Sequence, residues 1–203
     1  MEPLELKNLI EEKLNKQIPS HIFLDKMRVL DEESRKASSY NDPKYIPFFY
    51  WLGTILKPKY LIEIGFKLGL FSGNFLRSCK SVEIFSAFQE ESANFYSQRL
   101  GKSNVLDHYK GRLDIHVGLI YDFEEKINKI EWELALINEE VSYDKHREYL
   151  DTVWSNLSLD GFIAMDYILR HKPAGEAYND FCRGKNRIPV VVDTRYGVGI
   201  IRK

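Results

Sequence analysis

The sequence predicts an α/β protein: a doubly wound, seven-stranded, mainly parallel sheet with an antiparallel edge strand, preceded by N-terminal helices. Three observations carry the prediction. From Tyr60 onward, short apolar runs alternate with amphipathic stretches, strand then helix, five times over; such alternation requires parallel strands, right-handed crossovers and helices on both faces. A loop bearing two glycines, Gly65 to Gly69, joins the first strand to the helix after it. The chain closes on Val190–Asp193 and Val198–Ile201 with no helix between them, which reads as a pair at one edge of the sheet.

The elements follow in order. Residues 3–16 place Leu6, Leu9, Ile10 and Leu14 on one helical face. Pro19-Ser20 opens a second helix with Phe23, Met27 and Leu30 at spacings of four and three. Residues 31–42 are polar and read as a linker, so the chain divides into an N-terminal helical extension, 1–42, and a domain, 43–203. Asp42-Pro43 suits an N-cap followed by proline in the first helical turn. The helix after it carries Phe48, Phe49, Trp51, Leu52, Ile55 and Leu56, apolar around most of its circumference and therefore a core helix ending before Pro58. The predicted strands are Tyr60–Ile64, Val82–Phe88, Leu113–Val117, Trp132–Ile137 and, after a turn at Asp160-Gly161, Phe162–Asp166. The predicted helices between and after them are Leu70–Cys79, Glu90–Leu100, Tyr121–Ile130, Ser142–Leu157 and Pro173–Cys182.

Composition narrows the function classes. A chain of 203 residues buries a core without a staple. Its 29 Lys+Arg balance 30 Asp+Glu, a net charge of −1 that supplies no field for a nucleic acid or an anionic membrane. The longest apolar run, Ile46–Leu56, is broken by Pro47 and Gly53 and is far short of the roughly 20 residues a bilayer span needs. The aromatic run Phe48-Phe49-Tyr50-Trp51 lacks an accompanying basic groove and reads as packing, not as a base-stacking platform. Cys79 and Cys182 make no disulfide framework and fit a reducing, cytoplasmic compartment. The expectation is a small-molecule substrate, with no nucleic acid and no membrane.

In a doubly wound sheet, ligands bind beyond the carboxyl ends of the strands. The first strand ends Glu63-Ile64-Gly65-Phe66-Lys67-Leu68-Gly69. Glycines four apart permit a tight turn and bring backbone N–H groups close to a ligand. No Gly-Lys-Ser/Thr follows, so the loop is not a P-loop. An acidic residue, an apolar residue, Gly, three residues and Gly is the pattern that resembles the first motif of the class I S-adenosylmethionine-dependent methyltransferases. A second stretch, Glu133-Leu-Ala-Leu-Ile-Asn-Glu-Glu-Val-Ser-Tyr143, is similar to the fourth-strand signature of a branch that mostly methylates oxygen on small molecules or sugars. Leu157-Ser-Leu-Asp-Gly161 and Phe162-Ile-Ala-Met-Asp166 follow it at the distance that branch shows. The resemblance covers residues 44–203 and implies a Rossmann-like domain, S-adenosylmethionine as cofactor and methyl transfer to a small molecule or sugar.

It also implies roles for residues. Gly65 and Gly69 would contact the methionine end of the cofactor, Glu63 would orient their loop, and Gly118 would pass backbone beside the adenine. The ribose normally meets a carboxylate at the end of the second strand, where this chain has Phe88; Gln89 or Glu90 would serve if the strand end shifts. At the fourth strand an Asp-Gly-Asp-His run becomes Asn138-Glu139-Glu140-Val141, with Asn138 at the cofactor position. In metal-dependent relatives Mg²⁺ is held here and after the fifth strand. Asn138, Glu140 and Asp166 could offer three oxygens, but Tyr167 is a poor ligand, and Mg²⁺ is not expected. Asp166 and His171 are the catalytic candidates, the imidazole as proton acceptor. His146 reads as a half-exposed helix residue. The joint departures at Phe88, Asn138 and Val141 support a second reading, the same fold without the activity, acting as a binding or assembly module. The N-terminal helices could form a lid, a homo-oligomer contact or an attachment arm.

Overall fold

The computed structural model describes residues 1–19, 43–67, 69–89, 109, 111–118 and 120–203, without the side chains of Gln89 and Tyr121. The helices expected from Pro19-Ser20 and over Glu90–Leu100, and the N-cap expected at Asp42, lie outside the described residues.

Helix α1 spans Pro3–Glu11, opened by a reciprocal capping box between Glu2 and Glu5. It ends earlier than the periodicity suggests, and Leu14 is buried from the turn that follows. Helix α2, Tyr45–Leu56, carries Pro47 in its first turn, where a missing N–H costs nothing. It stops at Lys57, whose left-handed backbone (φ +50°) precedes Pro58.

Seven strands follow: β1 Tyr60–Ile64, β2 Ile84–Gln89, β3 Leu113–Val117, β4 Trp132–Ile137, β5 Leu157–Met165, β6 Val190–Val192 and β7 Val198–Arg202. Their order is β3-β2-β1-β4-β5-β7-β6. Pairing is parallel from β3 to β5, whereas β7 runs antiparallel to both β5 and β6. The closing pair therefore sits at one edge, with β7 as its inner, antiparallel member and β6 at the rim. Among the described residues the remaining helices are α3 (Leu70–Ser78), α4 (Glu124–Ile127), α5 (Tyr143–Ser155) and α6 (Lys172–Gly184). Ser142 caps α5 by accepting the Lys145 N–H. Among the described residues no helix is long and apolar enough to cross a membrane.

Two sequence expectations are corrected. The helix expected over Tyr121–Ile130 is a 3-10 turn, Ile120–Phe123, followed by the single turn of α4. Asp160-Gly161 is not a turn: β5 starts at Leu157 and runs through it. The β4–β5 register slips between Trp132 and Leu134, so the extra length is absorbed as an irregularity of the ladder.

Strand parity divides the core. Leu61, Phe85, Ala87, Leu134, Leu136, Phe162 and Ala164 pack with α1, α2 and α3 on one face. Ile62, Ile64, Ala135, Ile137, Ile163 and Met165 pack with α5 and α6 on the other. The period of two then assigns sides to the polar residues at the strand ends. Glu63 follows Leu61 and Asp166 follows Ala164, both toward α2 and α3, while Phe88 belongs to the opposite core. The strand order reverses between β1 and β4, so their carboxyl ends flank the crevice where this architecture binds ligands.

Candidate functional site

The loop after β1 is latched to its neighbours by its own backbone. Gly65 and Phe66 donate their backbone N–H groups to the Phe88 carbonyl at 2.9 and 3.3 Å. Gly65 has φ +92°, and a Cβ there would stand 2.2 Å from the Asn138 carbonyl oxygen. Only glycine fits, and the close approach is to the protein's own backbone. Gly69 (φ +72°) forms the N-terminal boundary of α3.

Glu63 is fully buried and accepts the Ser72 hydroxyl through one carboxylate oxygen; the other has no partner among the described residues. Burial pushes its acid pKa up to about 8. Asn138 donates its side-chain amide to the Gly65 carbonyl (3.1 Å), and its backbone N–H bonds Ile64 (2.8 Å). It therefore ties the ends of β1 and β4 together.

Lys67 reaches from the loop after β1 to residues that follow β4 and β5. Its backbone is left-handed (φ +47°), and its ammonium donates to the Tyr167 hydroxyl at 3.2 Å and meets the Asn138 amide oxygen at 3.5 Å. Sequence reasoning missed it, because a lysine inside a glycine loop that is not a P-loop carries no pattern of its own. Tyr167, also left-handed (φ +66°), stacks on Tyr196 with centroids 5.3 Å apart and planes 13° from parallel. Asp166 is buried and accepts the Tyr45 hydroxyl; its second oxygen has no described partner, and burial raises its pKa to about 7. Thus Asn138 and Asp166 are engaged with Gly65, Lys67 and Tyr45, Glu140 is exposed, and an ammonium lies where the resemblance would bring metal ligands together. Among the described residues no group of three or more His, Cys, Asp or Glu side chains could hold a metal ion.

His171 begins α6 and is half-buried, with its ring Nδ1 lacking a described partner. His146 is not half-exposed as expected: it is fully buried on α5, its ring 5.6 Å from that of His171, and neither nitrogen has a described partner. Burial, with His171 and Lys67 nearby, lowers its pKa to about 4, so it is neutral at pH 7. The signal for it was available. Tyr143, His146, Leu150 and Val153 repeat at three, four and three, which puts the imidazole on the apolar stripe of α5.

A shallow cleft, open to solvent, lies beside this cluster, lined by Ile64, Gly65, Phe88, Gly118, Ile120, Glu139 and Tyr149. Gly118 therefore lies at a turn that lines the cleft. Gln89 ends β2, but its side chain is outside the described part, as is that of Tyr121. Phe88 is 2% exposed and packs on His116 (ring centroids 4.8 Å) and Phe123 (5.4 Å); it is a core residue whose edge also walls the cleft.

No protein-family model matches the chain, and no curated protein matches its sequence. Solved structures do share its fold. The O-methyltransferase of Bacillus cereus in complex with S-adenosylhomocysteine superposes with a TM-score of 0.70 at 13% identity, over 98% of this chain and 100% of that one. The O-methyltransferase TomG of Streptomyces achromogenes, involved in tomaymycin synthesis and crystallised with S-adenosylmethionine, gives 0.71 at 12% identity, over 98% and 97%. A methyltransferase of Podospora anserina bound to S-adenosylhomocysteine gives 0.69 at 16% identity, over 98% and 93%.

Proposed function

From a chain that has the fold of the class I S-adenosylmethionine-dependent methyltransferases, O-methyltransferase-like in its structural neighbours, we propose a methyltransferase acting on a small molecule or sugar. The observation that carries the reading is the junction at the ends of β1 and β4. There Gly65 lies against Asn138, the buried Glu63 keeps an unpaired oxygen behind the loop, and the cleft opens directly beside them. These features fit the methionine end of the cofactor, which would rest on the Gly65–Gly69 backbone. Its nucleoside end would lie toward Phe88, Gly118 and Ile120, with Asn138 and the end of β2 at Gln89 close by.

When bound, S-adenosylmethionine supplies an already activated methyl group on a sulfonium, so the protein's tasks are positioning and proton removal. His171, at the start of α6, is our candidate proton acceptor. Asp166, held by Tyr45, fixes the end of β5 from which Tyr167 projects.

One observation favours a second reading, an inactive binding module. The end of β2 offers a buried phenyl ring where a ribose would want acceptors, and a hydroxyl buried there unpaired costs about 1–3 kcal/mol. Calorimetric titration of the full chain with S-adenosylmethionine and S-adenosylhomocysteine tests the choice. Heat of binding and a raised melting temperature are expected. Neither response at millimolar ligand would transfer the case to the module reading.

A further inference from the structure

We propose that Glu139 selects the charged form of the cofactor: its carboxylate, beside the loop after β1, attracts the sulfonium of S-adenosylmethionine and has no such hold on the neutral thioether of S-adenosylhomocysteine. The inference rests on the cofactor reading above and assigns one of this chain's own residues a task within it.

The backbone sets the side chain in place. Asn138 directly follows β4, with its N–H bonded to the Ile64 carbonyl and its side-chain amide to the Gly65 carbonyl. Its own carbonyl oxygen is so close to Gly65 that a Cβ there would stand 2.2 Å away. Residue 139 is thereby held beside the glycine loop. The Glu139 Cγ would be 2.9 Å from that same Cβ, so the stem of the side chain occupies the space that the glycine leaves open. Glu139 is half-buried there, whereas Glu140 after it is exposed.

Glu139 also gives the cleft its sign. The other described residues that line it are Ile64, Gly65, Phe88, Gly118, Ile120 and Tyr149, none of them a carboxylate, an ammonium or a guanidinium. Glu63 lies behind the loop, where burial, with the Glu139 charge adding to it, keeps it protonated near neutral pH. Lys67 turns its ammonium to Asn138 and Tyr167, and His146 from α5 is neutral at pH 7. A second carboxylate, Asp122, lies 3.3 Å from where a Gly118 side chain would begin. That turn follows β3, two strands from β1 and therefore roughly 10 Å away. The effect proposed for Glu139 is one of charge. A carboxylate offers about four acceptor sites, so hydrogen bonds to the protein leave its attraction for a cation in place.

The loaded and spent cofactors differ by one methyl group and one unit of charge. The methionine end of each carries an ammonium and a carboxylate, which leaves the sulfonium as the net charge at the glycine loop. Opposite unit charges about 6 Å apart change a binding constant roughly tenfold at an effective dielectric of about 40, twice the value usual near a protein surface. Such an attraction works without enclosure, which suits a shallow cleft. The spent cofactor lacks this hold, so its exchange for a loaded one is favoured. Donor affinity also gains a term that makes up in part for the ribose contact that the buried Phe88 ring does not provide.

The test is calorimetric titration of the full chain with three ligands: S-adenosylmethionine, S-adenosylhomocysteine and sinefungin, in which a carbon bearing an ammonium replaces the sulfonium. Glu139→Gln should weaken S-adenosylmethionine and sinefungin roughly tenfold, and S-adenosylhomocysteine by less than about twofold. Glu139→Asp keeps the charge and should retain most of the preference. Asp122→Asn, about a Debye length away, should leave the ratio of affinities within about twofold. Raising the salt from about 50 to about 500 mM should narrow the preference of the wild-type chain and leave that of Glu139→Gln unchanged. A purely structural role for Glu139 would weaken all three ligands alike. That result, or an unchanged ratio in folded Glu139→Gln, overturns the proposal and leaves the cofactor reading standing. No heat from any of the three with the wild-type chain overturns both.

Discussion

Lys67 and Tyr167 meet at 3.2 Å, ammonium to phenolic oxygen, across the end of β4, and both do so from left-handed backbone. A side chain at such a φ costs roughly 1–2 kcal/mol relative to the right-handed form, and glycine escapes most of that cost. Replacing Lys67 by Ala removes the ammonium and keeps the strain; replacing it by Gly removes both. Lys67→Gly should therefore melt about 2–4 °C above Lys67→Ala, a difference of about 1 kcal/mol in a chain of this size. Equal melting temperatures would mean that the loop relaxes once the ammonium is gone.

Gly65→Ala should unfold the protein before any cofactor is added. The new Cβ would stand 2.2 Å from the Asn138 carbonyl oxygen and 2.7 Å from its carbon, both backbone atoms that cannot rotate away. Movement would have to break the Asn138–Ile64 or Gly65–Phe88 hydrogen bonds that join three strand ends. A loss of several kcal/mol is expected, typical of strain at a special backbone position with no room. The check is a denaturant melt of the ligand-free variant. A normal melt with selectively weakened S-adenosylhomocysteine binding would instead place the close approach at the ligand.

The sheet was legible because its information is periodic. Alternation along Leu61-Ile62-Glu63-Ile64 and Leu134-Ala135-Leu136-Ile137 sends neighbours to opposite cores, and the glycine loop marks the first crossover. What could not be read depends on single dihedrals or on which partner a side chain finds. Nothing in Phe66-Lys67-Leu68 announces that residue 67 turns left-handed and aims its ammonium at a tyrosine one hundred positions away. Asp160-Gly161 has turn chemistry, yet it lies in the stretch of β5 that the β4 ladder skips, where the Lys203 N–H donates to the Gly161 carbonyl and Arg202 pairs with Asp160. His146 was legible in spacing, and was misjudged because a histidine on a charged helix is ordinarily solvated.

Phe88→Asp should cost stability without gaining a ribose contact. The ring is 2% exposed and packed on His116, Phe123 and the Ile64 core. Replacing it leaves a cavity and a buried carboxylate, each worth several kcal/mol. Phe88→Leu, which keeps the apolar character, should cost far less. Thermal melts of the two variants, with and without S-adenosylhomocysteine, make the comparison. A stable Phe88→Asp that binds the ligand more tightly than wild type would show that the ring had blocked an otherwise complete ribose site.

The two buried carboxyls set an unusual pH dependence. Burial raises Glu63 from an ordinary 4.5 to about 8 and Asp166 from 3.8 to about 7. Between the ordinary and the raised value the unfolded chain has already lost the proton that the folded chain keeps. The unfolded state then binds fewer protons, and stability falls as pH rises, by about 1.4 kcal/mol per unit for each group. His146 has the opposite sign. Its pKa is lowered from 6.5 to about 4, so its contribution is complete above 6.5 and is lost on acidification through 4. Above pH 6.5 only the carboxyls among these three still titrate. Melting temperature should therefore fall from pH 6.5 to 8, more steeply below 7, where both act, than above it, where Glu63 acts alone. Glu63→Gln keeps an oxygen that can accept the Ser72 hydroxyl and removes the titration. It should flatten the fall between pH 7 and 8 and leave the variant more stable than wild type at pH 8. Asp166→Asn should flatten only the lower part. A wild-type protein that gains stability from pH 6.5 to 8 would mean that Lys67 holds one of these carboxylates ionised in the folded state, against the pull of burial.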